Sequence, residues 1–163
     1  MDLLNNIKTA LLAGGLLLVS SLAIAQVQVY PTDRMYFGDM LFNITDGYVL
    51  PQNSMMWSDA MFTVRQGRIF EGFSQSPFDI LYSVKENQLY LEDSNFSSDI
   101  LYTFRNGVIY VGDSTYLLDV LYTYKNGRLY TGDSTSYFDL IATFQGAPSV
   151  AELFAIMMAM ELI

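Results

Sequence analysis

Neither cysteine nor histidine occurs anywhere in the 163 residues. Without cysteine there is no disulfide framework and no lipidated cysteine anchor, so stability has to come from packing and hydrogen bonds. Without histidine as well, Ser-His-Asp and Cys-His catalysis, a histidine-ligated haem and nearly every zinc site are excluded. Positive charge is scarce: 8 Lys and Arg stand against 17 Asp and Glu, a net charge of −9. Nucleic acid is therefore not an expected partner, because its phosphates demand a basic face. No glycine-rich phosphate cradle appears. An enzyme would have only carboxylates to work with, as glycosidases do. Pairs such as Glu92 with Asp93 exist, but uniform repeats rarely build the asymmetric pocket that splits two carboxyl pKa values. The chain is accordingly read as non-enzymatic, with no metal and no other cofactor.

Apolar residues are plentiful, at 52%, enough for the core of one domain. The first 25 residues read as a signal peptide: Lys8 in a short polar start, an apolar run from Ala10 to Leu18, then Ser20-Ser21-Leu22-Ala23-Ile24-Ala25 with small residues at the cleavage positions. Cleavage is expected after Ala25. The alternative, a retained anchor, has only residues 9–25, interrupted by Gly14, Gly15, Ser20 and Ser21, where a span needs about 20 apolar residues. The expected compartment is the periplasm or the exterior, with no stable membrane span after cleavage.

Residues 28–147 fall into six consecutive 20-residue units without insertion or deletion: 28–47, 48–67, 68–87, 88–107, 108–127 and 128–147. Position 12 of every unit is aspartate: Asp39, Asp59, Asp79, Asp99, Asp119 and Asp139. Within a unit, positions 1 to 4 (Arg128-Leu129-Tyr130-Thr131) and 13 to 17 (Val120-Leu121-Tyr122-Thr123-Tyr124) have the β-branched and aromatic character of strands. Between units stand Asn-Gly, Gln-Gly or Glu-Asn pairs, which tolerate positive φ. Each unit is thus strand, polar loop, strand and tight turn, and the chain is all-β.

Two topologies meet this pattern. One is a six-coil β-solenoid, with equivalent residues stacked in parallel ladders; the other is an antiparallel hairpin meander or barrel. Hairpins place Lys125 opposite Arg128 and Arg65 opposite Arg68, a mildly unfavourable pairing of like charges. A constant period also favours stacked coils, since meander loops tolerate changes of length. The solenoid is the favoured expectation, with positions 2, 13, 15 and 17 pointing inward and 14, 16 and 18 outward.

Six stacked carboxylates need hydrogen-bond donors, and position 7 offers Ser54, Ser74, Ser94, Ser114 and Ser134; the aspartates read as turn caps. Calcium binding is the competing role, but the spacing matches neither nine-residue calcium repeats nor an EF-hand. Position 3 carries Tyr30, Phe70, Tyr90, Tyr110 and Tyr130, interrupted by Leu50. Opposite the aliphatic position 2, this column is expected at the surface, where Phe70, Tyr90, Tyr110 and Tyr130 could stack a sugar ring or a partner chain. Alternatively the stacked rings stabilise the ladder itself.

Pro31 and Pro51 at position 4 of the first two units are placed to block further strand pairing. At the other end, Ser149-Val150-Ala151-Glu152 after Pro148 is a capping box opening a helix over about 150–162. Residues 148–163 are read as a capping helix over the last coil. Its apolar character nearly all round exceeds what one covering contact buries, which leaves a share for a second chain.

The run Tyr-x-Gly-Asp-Ser-Thr, then Asp-Val-Leu-Tyr-Thr, then Asn-Gly over Tyr110 to Gly127, with the ending Ser149 to Ala155, resembles a class of exported bacterial tandem-repeat proteins. The resemblance covers units three to six and the helix; units one and two depart from it. It implies the repeat architecture and transfers no catalytic residue. The functional expectation is an exported structural or interaction protein, self-associating as a homo-oligomer, with a surface-glycan-binding module as the alternative.

Overall fold

A computed structural model describes residues 26–163; the expected signal segment, residues 1–25, lies outside them. Twelve strands follow in order: β1 (Val27–Pro31), β2 (Phe42–Thr45), β3 (Tyr48–Pro51), β4 (Phe62–Arg65), β5 (Arg68–Glu71), β6 (Ile80–Lys85), β7 (Gln88–Leu91), β8 (Ile100–Arg105), β9 (Val108–Val111), β10 (Val120–Lys125), β11 (Arg128–Thr131) and β12 (Leu140–Gln145). One helix, α1 (Val150–Ala159), ends the chain. Each strand pairs with its neighbours in sequence, and β1 closes on β12 through Val29 opposite Phe144. The architecture is a closed antiparallel barrel and not the favoured solenoid.

The tight turns decide the topology. Asn106 and Gly107 have φ of 53° and 82°, and Asn126 and Gly127 have 53° and 71°. Two consecutive positive φ values define the type I′ turn, whose twist matches an antiparallel hairpin. The like-charge pairs that weighed against hairpins are present, Lys125 opposite Arg128 and Arg65 opposite Arg68. Their cost is a few tenths of a kcal/mol, offset where Asp46 lies 3.4 Å from Arg65 and Asp93 lies 2.9 Å from Arg68. Pro31 and Pro51 do not end the sheet either; they are the last residues of β1 and β3, facing Ala142 and Phe42.

An up-and-down barrel gathers alternate connections at opposite ends. The type I′ turns share one end with Gln26 and the start of α1, and six longer loops share the other. Position 2 supplies Val29, Val49, Ile69, Leu89, Ile109 and Leu129, none measurably exposed, and these form one core with positions 15 and 17 and with the helix. Twelve strands enclose more space than side chains alone can fill, and α1 occupies it. The helix packs on β3 to β6, Phe154 lies 6.4 Å from the ring of Tyr102 on β8, and the Tyr122 hydroxyl of β10 donates to the carbonyl of Leu162 at 3.0 Å. Walls on opposite sides therefore account for most of its all-round apolarity, with Met158, Met160, Leu162 and Ile163 left partly buried. It is a plug within the barrel rather than a lid on an open coil.

Both helix ends are closed chemically. Glu152 N–H donates to Ser149 Oγ while Ser149 N–H donates to the Glu152 carboxylate, a complete capping box. At the far end Glu161 adopts φ 58°, Leu162 N–H donates to Met157 and Glu161 N–H to Met158, the two bonds of a Schellman motif.

Candidate functional site

The six long loops are not free. In each, the chain turns at position 5 with positive φ (Thr32, Gln52, Gly72, Glu92, Gly112, Gly132) and folds back over the outer face of the preceding hairpin. Gly112 N–H donates to Leu101 and Gly132 N–H to Leu121. Thr63, Thr103 and Thr123 at position 16 each donate to the position-5 carbonyl of the next unit at 2.7 Å. Asn43 does comparable work through Gln52 and Ser54 carbonyls. These contacts explain why loop length never varies: each loop is a petal seated on the barrel wall, and one added residue would break its seat.

Position 16 is therefore buried on the outer face, not exposed, and position 13 is outward, not inward. A register shift at position 14 in units three to six interrupts the period-2 alternation as a β-bulge does. It sets Ile100 opposite Tyr90 and Leu140 opposite Tyr130. The position-3 column consequently lies under the petals: Tyr30, Leu50, Phe70 and Tyr130 are buried, and Tyr90 and Tyr110 are half-buried. Phe70, Tyr90, Tyr110 and Tyr130 do not form an exposed aromatic ladder.

Ser83 departs from the pattern. Its hydroxyl is buried with no partner, although the equivalent threonines are all bonded. Ser83→Thr, adding the methyl its counterparts carry, is expected to bring the hydroxyl onto the Glu92 carbonyl and to stabilise the fold by about 1 kcal/mol. A rise in urea midpoint at unchanged slope checks it; an unchanged or lowered midpoint contradicts it.

The position-12 aspartates are spread one to a petal, so the repulsion foreseen for a stacked ladder does not arise. Asp59, Asp79, Asp99, Asp119 and Asp139 each accept from the position-7 serine of the same unit, and that serine oxygen in turn accepts the backbone N–H at position 9. Asp39, with Arg34 at position 7, lacks this relay. The bonds run within each turn, which is a capping geometry. Among the described residues no group of three or more acidic side chains converges as metal ligands would.

Positions 10 to 12 form a 3₁₀ turn in every petal, ending on that aspartate, and positions 9 to 11 carry the exposed surface that sequence reasoning missed. Phe78 is 97% exposed, Leu118 97% and Phe138 95%. Tyr36, Phe37, Met56, Trp57, Phe96, Tyr116, Leu117 and Tyr137 are 60–76% exposed. Large apolar groups are ordinarily scattered singly on a surface, and a contiguous group marks an interaction site. The turn leads directly into the strand, so the side chains crown the long-loop end of the barrel. Trp57 meets Phe73 of the next petal edge-on at 5.4 Å, and the Tyr137 hydroxyl reaches Asp33 of the first unit at 3.3 Å, so neighbouring petals touch at these two junctions. The available signal was large apolar residues in loops where turn chemistry calls for polar ones.

Asp93 holds Arg68 at 2.9 Å and Lys85 at 3.0 Å, and its carboxyl is lowered below the ordinary value first by the Arg68 hydrogen bond and then by that from Lys85. It therefore steadies its petal above the unfolded-state pKa and lets go as pH falls through the lowered one; being largely exposed, it contributes little. Two phenols of the inner wall, Tyr124 and Tyr122, are raised by burial. They favour the fold below the ordinary phenol value of 10.0, an advantage lost as pH rises through the raised values. A cleft at the tight-turn end lies between Arg65, Gln66, Asn87, Ser149 and Glu152, and a groove between petals between Arg65, Arg68, Phe70, Pro77 and Asp93. In the first, Ser149 and Glu152 bond to one another as the helix cap.

A family model described as 6-fold beta flower protein matches residues 29–157. The chain belongs to that family, and the six petals and the barrel that carries them are its architecture. No curated protein and no solved structure matches.

Proposed function

For this member of the beta flower family, we propose an exported, non-enzymatic interaction protein whose working surface is the apolar crown of its petals. The carrying observation is that Phe78, Leu118 and Phe138 stand 95–97% exposed on turns held rigid by the serine–aspartate relay. Nothing inside the fold explains them, since core and petals are closed without them. Rigid aromatic and aliphatic anchors spend little conformational entropy on binding, which is what an association surface needs. The signal-like start and the absence of histidine and cysteine agree with a role outside the cytoplasm and without catalysis. A glycan platform on the position-3 column has less support, because the petals bury Phe70 and Tyr130 and half-bury Tyr90 and Tyr110.

The test is fractionation of the full chain in its producing cell. The wild type is expected to sediment with envelope material or in a complex. The variant Phe78→Ser, Leu118→Ser, Phe138→Ser, altered only at exposed sites, is expected to fold equally well and to move to the free soluble fraction. A variant that fractionates as the wild type does would overturn the proposal.

A further inference from the structure

We infer that the crown takes the opposite, basic end of a second copy of this chain, so that barrels stack head to tail. This rests on the crown being the interaction surface, and it names the partner. Of the seven basic residues in the described chain, six sit at the tight-turn end: Arg65, Lys85, Arg105 and Lys125 at position 18, and Arg68 and Arg128 at position 1. Arg65, Arg68 and Lys85 are paired with carboxylates. Arg105, Lys125 and Arg128 are exposed and make no ion pair among the described residues. They form an arc of cations without a direct ion partner over three consecutive units, on an end that also carries Asp46, Glu86 and Glu152.

The crown is the complement of that arc. Its turns carry Asp39, Asp59, Asp79, Asp99, Asp119 and Asp139 beside the exposed aromatic rings, and Arg34 is its sole basic neighbour. Carboxylates and aromatic faces both attract cations, and Arg and Lys stems bring apolar length to lie against Phe and Leu. The molecule already shows the contact type internally, with Arg65 5.0 Å from the centre of the Tyr48 ring and Lys85 5.8 Å from that of Tyr90. Crown against crown would oppose like charges, which disfavours a two-fold dimer, and the same carboxylates disfavour an anionic lipid surface. Unlike ends form a heterologous contact that does not close on itself, so the product is an open axial stack.

Two variants test this with the purified chain. Phe78→Ser, Leu118→Ser, Phe138→Ser disables the crown and keeps the basic end. Arg105→Glu, Lys125→Glu, Arg128→Glu disables the basic end and keeps the crown. By sedimentation velocity at low salt, the wild type is expected to form a concentration-dependent series of stacks and each variant alone to remain monomeric. Their equimolar mixture is expected to form a dimer and nothing larger, since one competent end of each remains. Raising salt from about 20 to about 500 mM is expected to weaken that dimer on the order of tenfold. A monomeric wild type, or a mixture that stays monomeric while the wild type associates, overturns the stack. If the wild type is monomeric while the crown variant still leaves the envelope fraction in cells, the crown remains an interaction surface and its partner is another molecule.

Discussion

Removing residues 147–163 is expected to leave a chain that no longer folds cooperatively. Leu153, Phe154, Ile156 and Met157 are at most 2% exposed, and burial of side chains of this size stabilises by ~1.5–3 kcal/mol each, or ~6–12 kcal/mol together. A whole domain is stable by only about 5–15 kcal/mol. The loss is compounded because an emptied lumen cannot collapse: twelve paired strands fix its width, and the inward Val, Ile, Leu, Tyr and Phe side chains would face water. The truncated chain should lose near-ultraviolet circular dichroism and show no sharp urea transition. The graded version is Phe154→Ala, expected to cost about 3–5 kcal/mol. A truncated chain unfolding with the wild-type urea midpoint would show that the barrel stands without its plug.

Much of this was legible beforehand, and the part that was not has a common cause. The 20-residue period, the strand and turn segments, the inward positions 2, 15 and 17 and the capping box at Ser149 follow from local chemistry, and all appear as read. The closure of the barrel does not, because a hairpin and a coil use the same strands and differ only in which segments pair. The constant period pointed the wrong way, since the petals fix loop length as firmly as stacking would have done. Position 13 was misassigned because alternation assumes an unbroken pleat, and the shift at Leu101 and Leu121 breaks it. The same shift and the covering petals turned the Tyr90 and Tyr110 column from an outer surface into a second, external layer of packing. The helix showed an excess of apolar surface, and only the lumen, a product of six hairpins together, shows where that surface goes. For the crown, the sequence holds the side chains plainly, but neighbouring petals bring them to one end only after the barrel has closed.

Gly107→Val is expected to cost about 3 kcal/mol, placing strain at a single turn against the stability of the whole barrel. Gly107 sits at φ +82°, and a Cβ built there would lie 2.7 Å from the carbonyl oxygen of Tyr124 on the neighbouring strand. The closeness has a purpose: Tyr124 N–H donates to the Gly107 carbonyl at 2.7 Å, so the turn of one hairpin seals the edge of the next. Equivalent bonds run from Val84 to Gly67 and from Phe144 to Gly127. A β-branched residue is the worst occupant of a positive φ, since both branches crowd the backbone. Unit three supplies the control, because Asn87 holds the corresponding place at φ 65° and its carbonyl still accepts from Phe104 at 2.8 Å. Gly107→Asn should therefore cost only about 1 kcal/mol, as the amide side chain tolerates the left-handed region. Urea midpoints of the two variants separate the causes. If valine and asparagine destabilise equally, the contact with Tyr124 governs the position; if valine is far worse, the backbone angle does, as expected here.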